Sequence, residues 1–151
     1  MMMTFAVKLA LTGALVFFMT GLLTGVWKYR CIMASADATA PYYVNIAHRA
    51  SLQYAFASIL LAVLVGYSVF PEAVNAAAMI AVLFFFAFAI ITYLIHGYLR
   101  DTDNQLRQPH VLGKSMIAGG MMRLSMGLLI LGEIGGSAVI GLGAMMGIWS
   151  G

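Results

Sequence analysis

Residues 73–98 read AVNAAAMIAVLFFFAFAIITYLIHGY, with Pro71-Glu72 before them and Leu99-Arg100-Asp101 after. No Asp, Glu, Lys or Arg interrupts the run. The hydrocarbon core of a bilayer takes about 20 helical residues at about 1.5 Å each. The run is long enough to cross it, and its polar flanks mark where it emerges. Lipid offers backbone groups no partner, so such a segment satisfies its N–H and C=O groups internally, as a helix.

Three other runs share this character. One covers about 5–27, broken only by Lys8, and ends in Trp27-Lys28-Tyr29-Arg30, an aromatic and basic belt typical of a membrane interface. One covers about 45–70 and stops at Pro71-Glu72. The last covers about 115–149 and holds Arg123 and Glu133. Over the whole chain 63% of residues are hydrophobic and 9% are charged, whereas soluble domains carry roughly 25% charged residues. Four spans nearly exhaust the 151 residues. The predicted fold class is therefore all-α: an integral membrane four-transmembrane-helix bundle in a single domain. The first run does not read as a secretory signal. It exceeds the roughly 7–15 residues of such a core, and basic residues separate it from Ala34-Ser35-Ala36.

Four spans put the connections 28–44 and 99–113 on one face of the bilayer. Lys28, Arg30, Arg49, Arg100, Arg107 and Lys114 lie on or near that face, and Lys8 alone lies at the other. The positive-inside rule predicts both connections to be cytoplasmic, in a multi-pass protein of the inner (cytoplasmic) membrane. The net charge of +3 is accounted for by these flanks and is no nucleic-acid signal. A single cysteine, Cys31, excludes an internal disulfide and a cysteine zinc cluster. P-loop, HExxH, GxSxG and CxxC patterns are absent, so phosphate chemistry and zinc hydrolysis have no support.

Glycines at Gly21 and Gly25, and at Gly132 and Gly136, form GxxxG patterns, which let helix backbones approach closely. Packing within the chain is the favoured reading over contact between copies. Gly135-Gly136 is a candidate kink in the long last run. The stretch Phe84-Phe85-Phe86 with Phe88 is read as lipid-facing or core, or as the wall of an apolar pocket.

The hairpin of spans two and three brings all three histidines to the same face: His48 near the start of span two, His96 near the end of span three, and His110 in the last connection. Asn45, His48 and Ser51 recur at three-residue spacing and form one stripe on span two. Thr92 and His96 share a side of span three, with Tyr93 adjacent; Gln53, Tyr54, Asp101, Asp103 and Asn104 are nearby in the chain. A histidine at membrane depth faces the bundle interior and marks function more often than elsewhere. His48 is the leading candidate ligand for a haem iron or other metal, with Asn45, Ser51 and His96 as further cofactor-binding candidates. His110 follows a proline and reads as a structural or solvated loop residue. Arg100, Asp101, Asp103 and Arg107 read as a solvated, self-paired turn, or as a rim over the histidines. Arg123 and Glu133 are too far apart on a straight helix to pair, so each needs its own partner.

Gly21-Leu-Leu-Thr-Gly25 ending span one, Ala47-His48 opening span two and Tyr93-Leu94 near the end of span three resemble styrene oxide isomerase and the hydroxylaminobenzene mutases. The resemblance implies a trimeric bundle that binds haem b through His48, with ferric iron as a Lewis acid. The implied reaction is rearrangement of a small hydrophobic epoxide or arylhydroxylamine. It also implies Tyr93 as the residue that orients or polarises substrate. Two positions depart from the isomerase, which has an asparagine where this chain has Tyr54 and an aspartate where it has Phe85. Tyr93 and Tyr54 are thus the candidate catalytic residues. Two other readings remain: a non-catalytic b-type haem electron carrier ligated by His48 and His96, and a cofactor-free accessory subunit of a membrane complex.

Overall fold

The computed structural model describes residues 3–150. Helix α1 runs Phe5–Met33, α2 Tyr42–Val65 and α3 Glu72–Leu99. A two-stranded hairpin, β1 Val111–Leu112 and β2 Ser115–Met116, follows in the last connection. The final span, Gly119–Trp149, is α4 Gly119–Ile130, a π-helical turn Leu131–Gly135 and α5 Gly136–Trp149. All four long helices are apolar enough to cross a membrane. The fold is an all-α four-helix bundle of a multi-pass membrane protein.

Boundaries differ from the hydropathy reading where polarity and helicity part company. α1 continues past Trp27 to Met33 because Lys28-Tyr29-Arg30 contains nothing that breaks a helix. α2 begins at Tyr42, just after Pro41, and stops at Val65; the apolar residues 66–70 belong to the turn before Pro71. In that turn Ser68 donates to the Asn75 side chain at 2.9 Å, and Asn75 donates to the Phe70 carbonyl at 3.0 Å. The last span begins at Gly119 rather than near 115, because Ser115-Met116 pairs with Val111-Leu112. Gly113 opens the hairpin turn at φ +60°, a conformation that favours glycine.

Small residues dominate the buried face of α1. Ala6, Ala10, Ala14, Phe17, Gly21 and Thr24 form the buried stripe of α1. A side chain at Gly21 would meet Leu52, and one at Gly25 would meet the ring of His48, so this GxxxG pair joins α1 to α2. Gly132 sits on the Phe85 ring, and Gly136 on Val82 and the Ala78 carbonyl. Both patterns serve packing within the chain. At the other face the Glu72 carboxylate accepts the Ala6 N–H at 2.8 Å, satisfying one of the free donors at the start of α1. The outer faces are apolar: Leu23, Phe56, Phe84 and Leu131 are all exposed, as lipid-facing side chains should be.

The phenylalanine run divides its labour. Phe84 faces outward, Phe85 covers Gly132, Phe86 is buried, and Phe88 lines a cavity. The irregularity in the last span is the π turn, which ends at Gly135, so α5 starts at Gly136. Below it α5 packs closely; above it α4 has no fully buried residue and stands away from α3.

Candidate functional site

The parting of α3 and α4 creates the site. On α3, Ala89, Thr92, Tyr93 and His96 recur at helical spacing and turn one face toward α4. On α4, Met122, Ser125, Met126 and Leu129 recur at the same spacing and face back. Between them lies a cavity of about 340 Å³. Gln105, Leu112 and Ile117 close it at the loop end, and Tyr54 contributes from α2. The volume suits a small molecule, and the walls are chiefly apolar with a few convergent polar groups.

Its polar end is built by His96 and Asp101. The last turn of α3 ends with Arg100 in the left-handed conformation, φ 51°, and this reversal returns Asp101 to the helix end. His96 Nδ1 lies 2.8 Å from Asp101 Oδ1, with side-chain exposures of 4% and 6%. The second carboxylate oxygen accepts the Gly113 N–H at 2.6 Å, so the β-hairpin is tied to the same residue. Burial acts to raise the Asp101 pKa, but the hydrogen bonds from Gly113 and His96 outweigh it and hold the carboxyl below its ordinary value. With Asp101 ionised, Nδ1 is the donor, and Nε2 keeps a lone pair. A carboxylate-oriented imidazole of this kind can take up and return a proton.

Aromatic rings fix the dyad from the side. Tyr43 packs against His96 with ring centroids 5.1 Å apart and stacks on Tyr93 at 5.9 Å. The Tyr43 hydroxyl accepts the Gln105 N–H at 2.6 Å, which anchors the last connection to α2. Tyr54 stacks on Phe86 at 4.1 Å and faces the Glu133 carboxyl. Tyr54, Tyr93 and His96 thus line one cavity.

The other candidates lie elsewhere. His48 is half-buried against α1, its Nδ1 2.8 Å from the Gly21 carbonyl. Ser51 is fully buried and donates to the Ala47 carbonyl at 2.7 Å, and Asn45 is half-buried one turn before His48. His48 and His96 have separate surroundings: one faces α1, the other Tyr43 and Asp101. Among the described residues no three or more His, Cys, Asp and Glu side chains converge as a metal cluster. His110 is buried at 8% exposure rather than solvated, because the hairpin folds over it and Ile117 N–H donates to its carbonyl at 2.8 Å. The charges of the last connection are only partly self-paired. Asp103 and Arg107 meet at 3.2 Å in the open, whereas Asp101 turns inward to His96.

Sequence reading passed over Asp101 as a partner of His96, although it stands five residues on. It also passed over the face formed by Met122, Ser125, Met126 and Leu129, whose spacing is visible in the chain. Neither a protein family, nor a curated protein, nor a solved structure matches this sequence or its fold. The likeness to styrene oxide isomerase and the hydroxylaminobenzene mutases therefore rests on the short motifs alone.

Proposed function

We propose that this chain is a membrane-embedded, isomerase-like protein that admits a small hydrophobic molecule between α3 and α4 and moves a proton on it. One observation carries the reading: an Asp101-oriented histidine lines an apolar cavity of about 340 Å³. An imidazole held this way can act as base and then as acid within one turnover, which is what a proton-shifting rearrangement needs. The hydrophobic walls shelter a charged intermediate from water. Tyr93 and Tyr54 offer hydroxyl groups to orient a polar substituent.

The test uses the purified chain in detergent and a small neutral aromatic, neopentylbenzene, as a binding ligand. Ser125→Trp fills the cavity from α4 and is expected to abolish binding while leaving the helix content unchanged. His96→Gln is expected to keep binding and to lose turnover of aryl epoxides. Binding that survives Ser125→Trp would overturn the reading.

A second reading is favoured by His48. Its Nδ1–H donates to the Gly21 carbonyl, the outer-shell arrangement that orients metal-bound imidazoles and leaves Nε2 for iron. The residue thus fits axial ligation of haem b, and bound haem would supply a Lewis acid for epoxide opening. His48 lines neither the α3–α4 cavity nor the clefts around it. A haem at this position would need a wall from outside the single chain, in keeping with a trimer. A Soret band lost in His48→Ala and kept in His96→Ala supports this reading; a colourless preparation removes it.

The excess of Lys and Arg supports cytoplasmic connections at 28–44 and 99–113 in an inner-membrane protein. Cys31, the sole cysteine and unpaired, reports on it directly. An impermeant maleimide should label it from the cytoplasmic side only.

A further inference from the structure

We infer that Glu133 is a cation-binding carboxyl at the inner end of the α3–α4 cavity, matched to a lipophilic ammonium group. This deepens the reading of the cavity as a binding site and rests on it. The chain has five acidic residues. Asp37, Asp101 and Asp103 lie in connections, and Glu72 opens α3 and is bound to α1. Glu133 alone lies within a span, inside the π turn Leu131–Gly135. Single π turns inside α-helices occur frequently at functional sites.

Its position points to the cavity. Leu129 lines the cavity, and Glu133 is four residues on, on the same side of the helix. Tyr54 connects the two, lining the cavity and facing the carboxyl. Oε1 of Glu133 is buried without a hydrogen-bond partner.

No cation offsets it. The ion pairs among the described residues are His96–Asp101 and Asp103–Arg107. Tyr54 of α2 and Tyr93 of α3 are the titratable groups near Glu133, and neither carries positive charge. Arg123 lies on the same helix, about 15 Å away along the axis, and is exposed. A lone carboxylate in hydrocarbon is costly, so the group holds a proton until a cation arrives. The exchange balances. An ammonium ion enters, the Glu133 O–H bond breaks, the proton leaves to water, and carboxylate and ammonium form a neutral pair. The rings of Tyr54, Phe88 and Tyr93 add faces on which an ammonium group is attracted.

Benzyltrimethylammonium, permanently charged, and neopentylbenzene, its neutral counterpart of the same shape, separate the possibilities. Both are titrated into the detergent-purified full chain while released protons are measured. Wild type should bind both, release one proton per cation, and bind the cation about tenfold more tightly per pH unit gained. Glu133→Gln should keep the neutral ligand and weaken the cation at least about tenfold. Equal cation binding by Glu133→Gln overturns the inference, as does wild-type cation binding without proton release, which needs no variant to fold. Binding of neopentylbenzene without any binding of the cation also overturns it and leaves the cavity reading intact. Binding of neither removes both.

Discussion

Tyr43 accepts the Gln105 N–H at 2.6 Å, so a hydroxyl from the first turn of α2 fixes the connection that covers the cavity. The same ring packs on Tyr93 and His96. Tyr43→Phe keeps both ring contacts and leaves the Gln105 amide without its acceptor. A lost hydrogen bond of this kind costs about 0.5–1.5 kcal/mol. The variant should unfold at slightly lower temperature, and amide exchange should quicken around Gln105 while the core of α2 stays protected. Unchanged exchange at Gln105 would contradict this role.

Asp101 uses both oxygens, one for His96 and one for the Gly113 N–H. Asp101→Asn offers one acceptor and one donor in their place. If its oxygen keeps Gly113, its amide must donate to Nδ1, which moves the imidazole proton to Nε2 and removes the base. Turnover should fall by about 10²–10⁴-fold, the usual share of general acid–base catalysis. Neopentylbenzene should bind as before. Equal loss of binding and turnover would assign Asp101 to loop structure alone.

The same carboxylate sets an acid limit on stability. Its folded pKa is depressed, so its contribution is present above the ordinary carboxylate value of about 4 and lost as pH falls through the lower folded value. Thermal unfolding in detergent should show the wild-type Tm falling as pH drops below about 4. Asp101→Asn should begin lower and lose less over the same range. Parallel curves for the two proteins would exclude this linkage.

Hydropathy made the bundle legible because lipid demands long uncharged helices, and 73–98 satisfies that demand without ambiguity. The same signal fell short at the start of α2 and overran at its end and at the start of the last span. Apolar residues in a tight turn or a two-residue strand carry the same hydropathy as residues in a helix. That His96 and Tyr93 stand at the same face as the start of span two could be read from helix order alone, since a hairpin fixes which ends meet. The Asp101 contact could not be. It depends on Arg100 adopting positive φ at the end of α3, which no periodicity announces. Nor could the cavity be read, because it arises from α4 standing away from α3 above a π turn.

The glycines of the last span separate close packing from open space. A Cβ at Gly136 would lie 2.7 Å from the Ala78 carbonyl oxygen and also meet Val82. A Cβ at Gly135 meets nothing within 4 Å. The two residues are neighbours in one helical span, so substitution by alanine changes intrinsic helix preference alike. Gly136→Ala must push α5 from α3, and overpacking of this kind costs about 1–3 kcal/mol. Gly135→Ala should be neutral or stabilise by up to about 1 kcal/mol. Thermal unfolding of the two variants in the same detergent checks the contrast. If both lower the Tm equally, the close approach of α5 to α3 at Gly136 is wrong, and with it the anchored half of the span from which α4 departs to open the cavity.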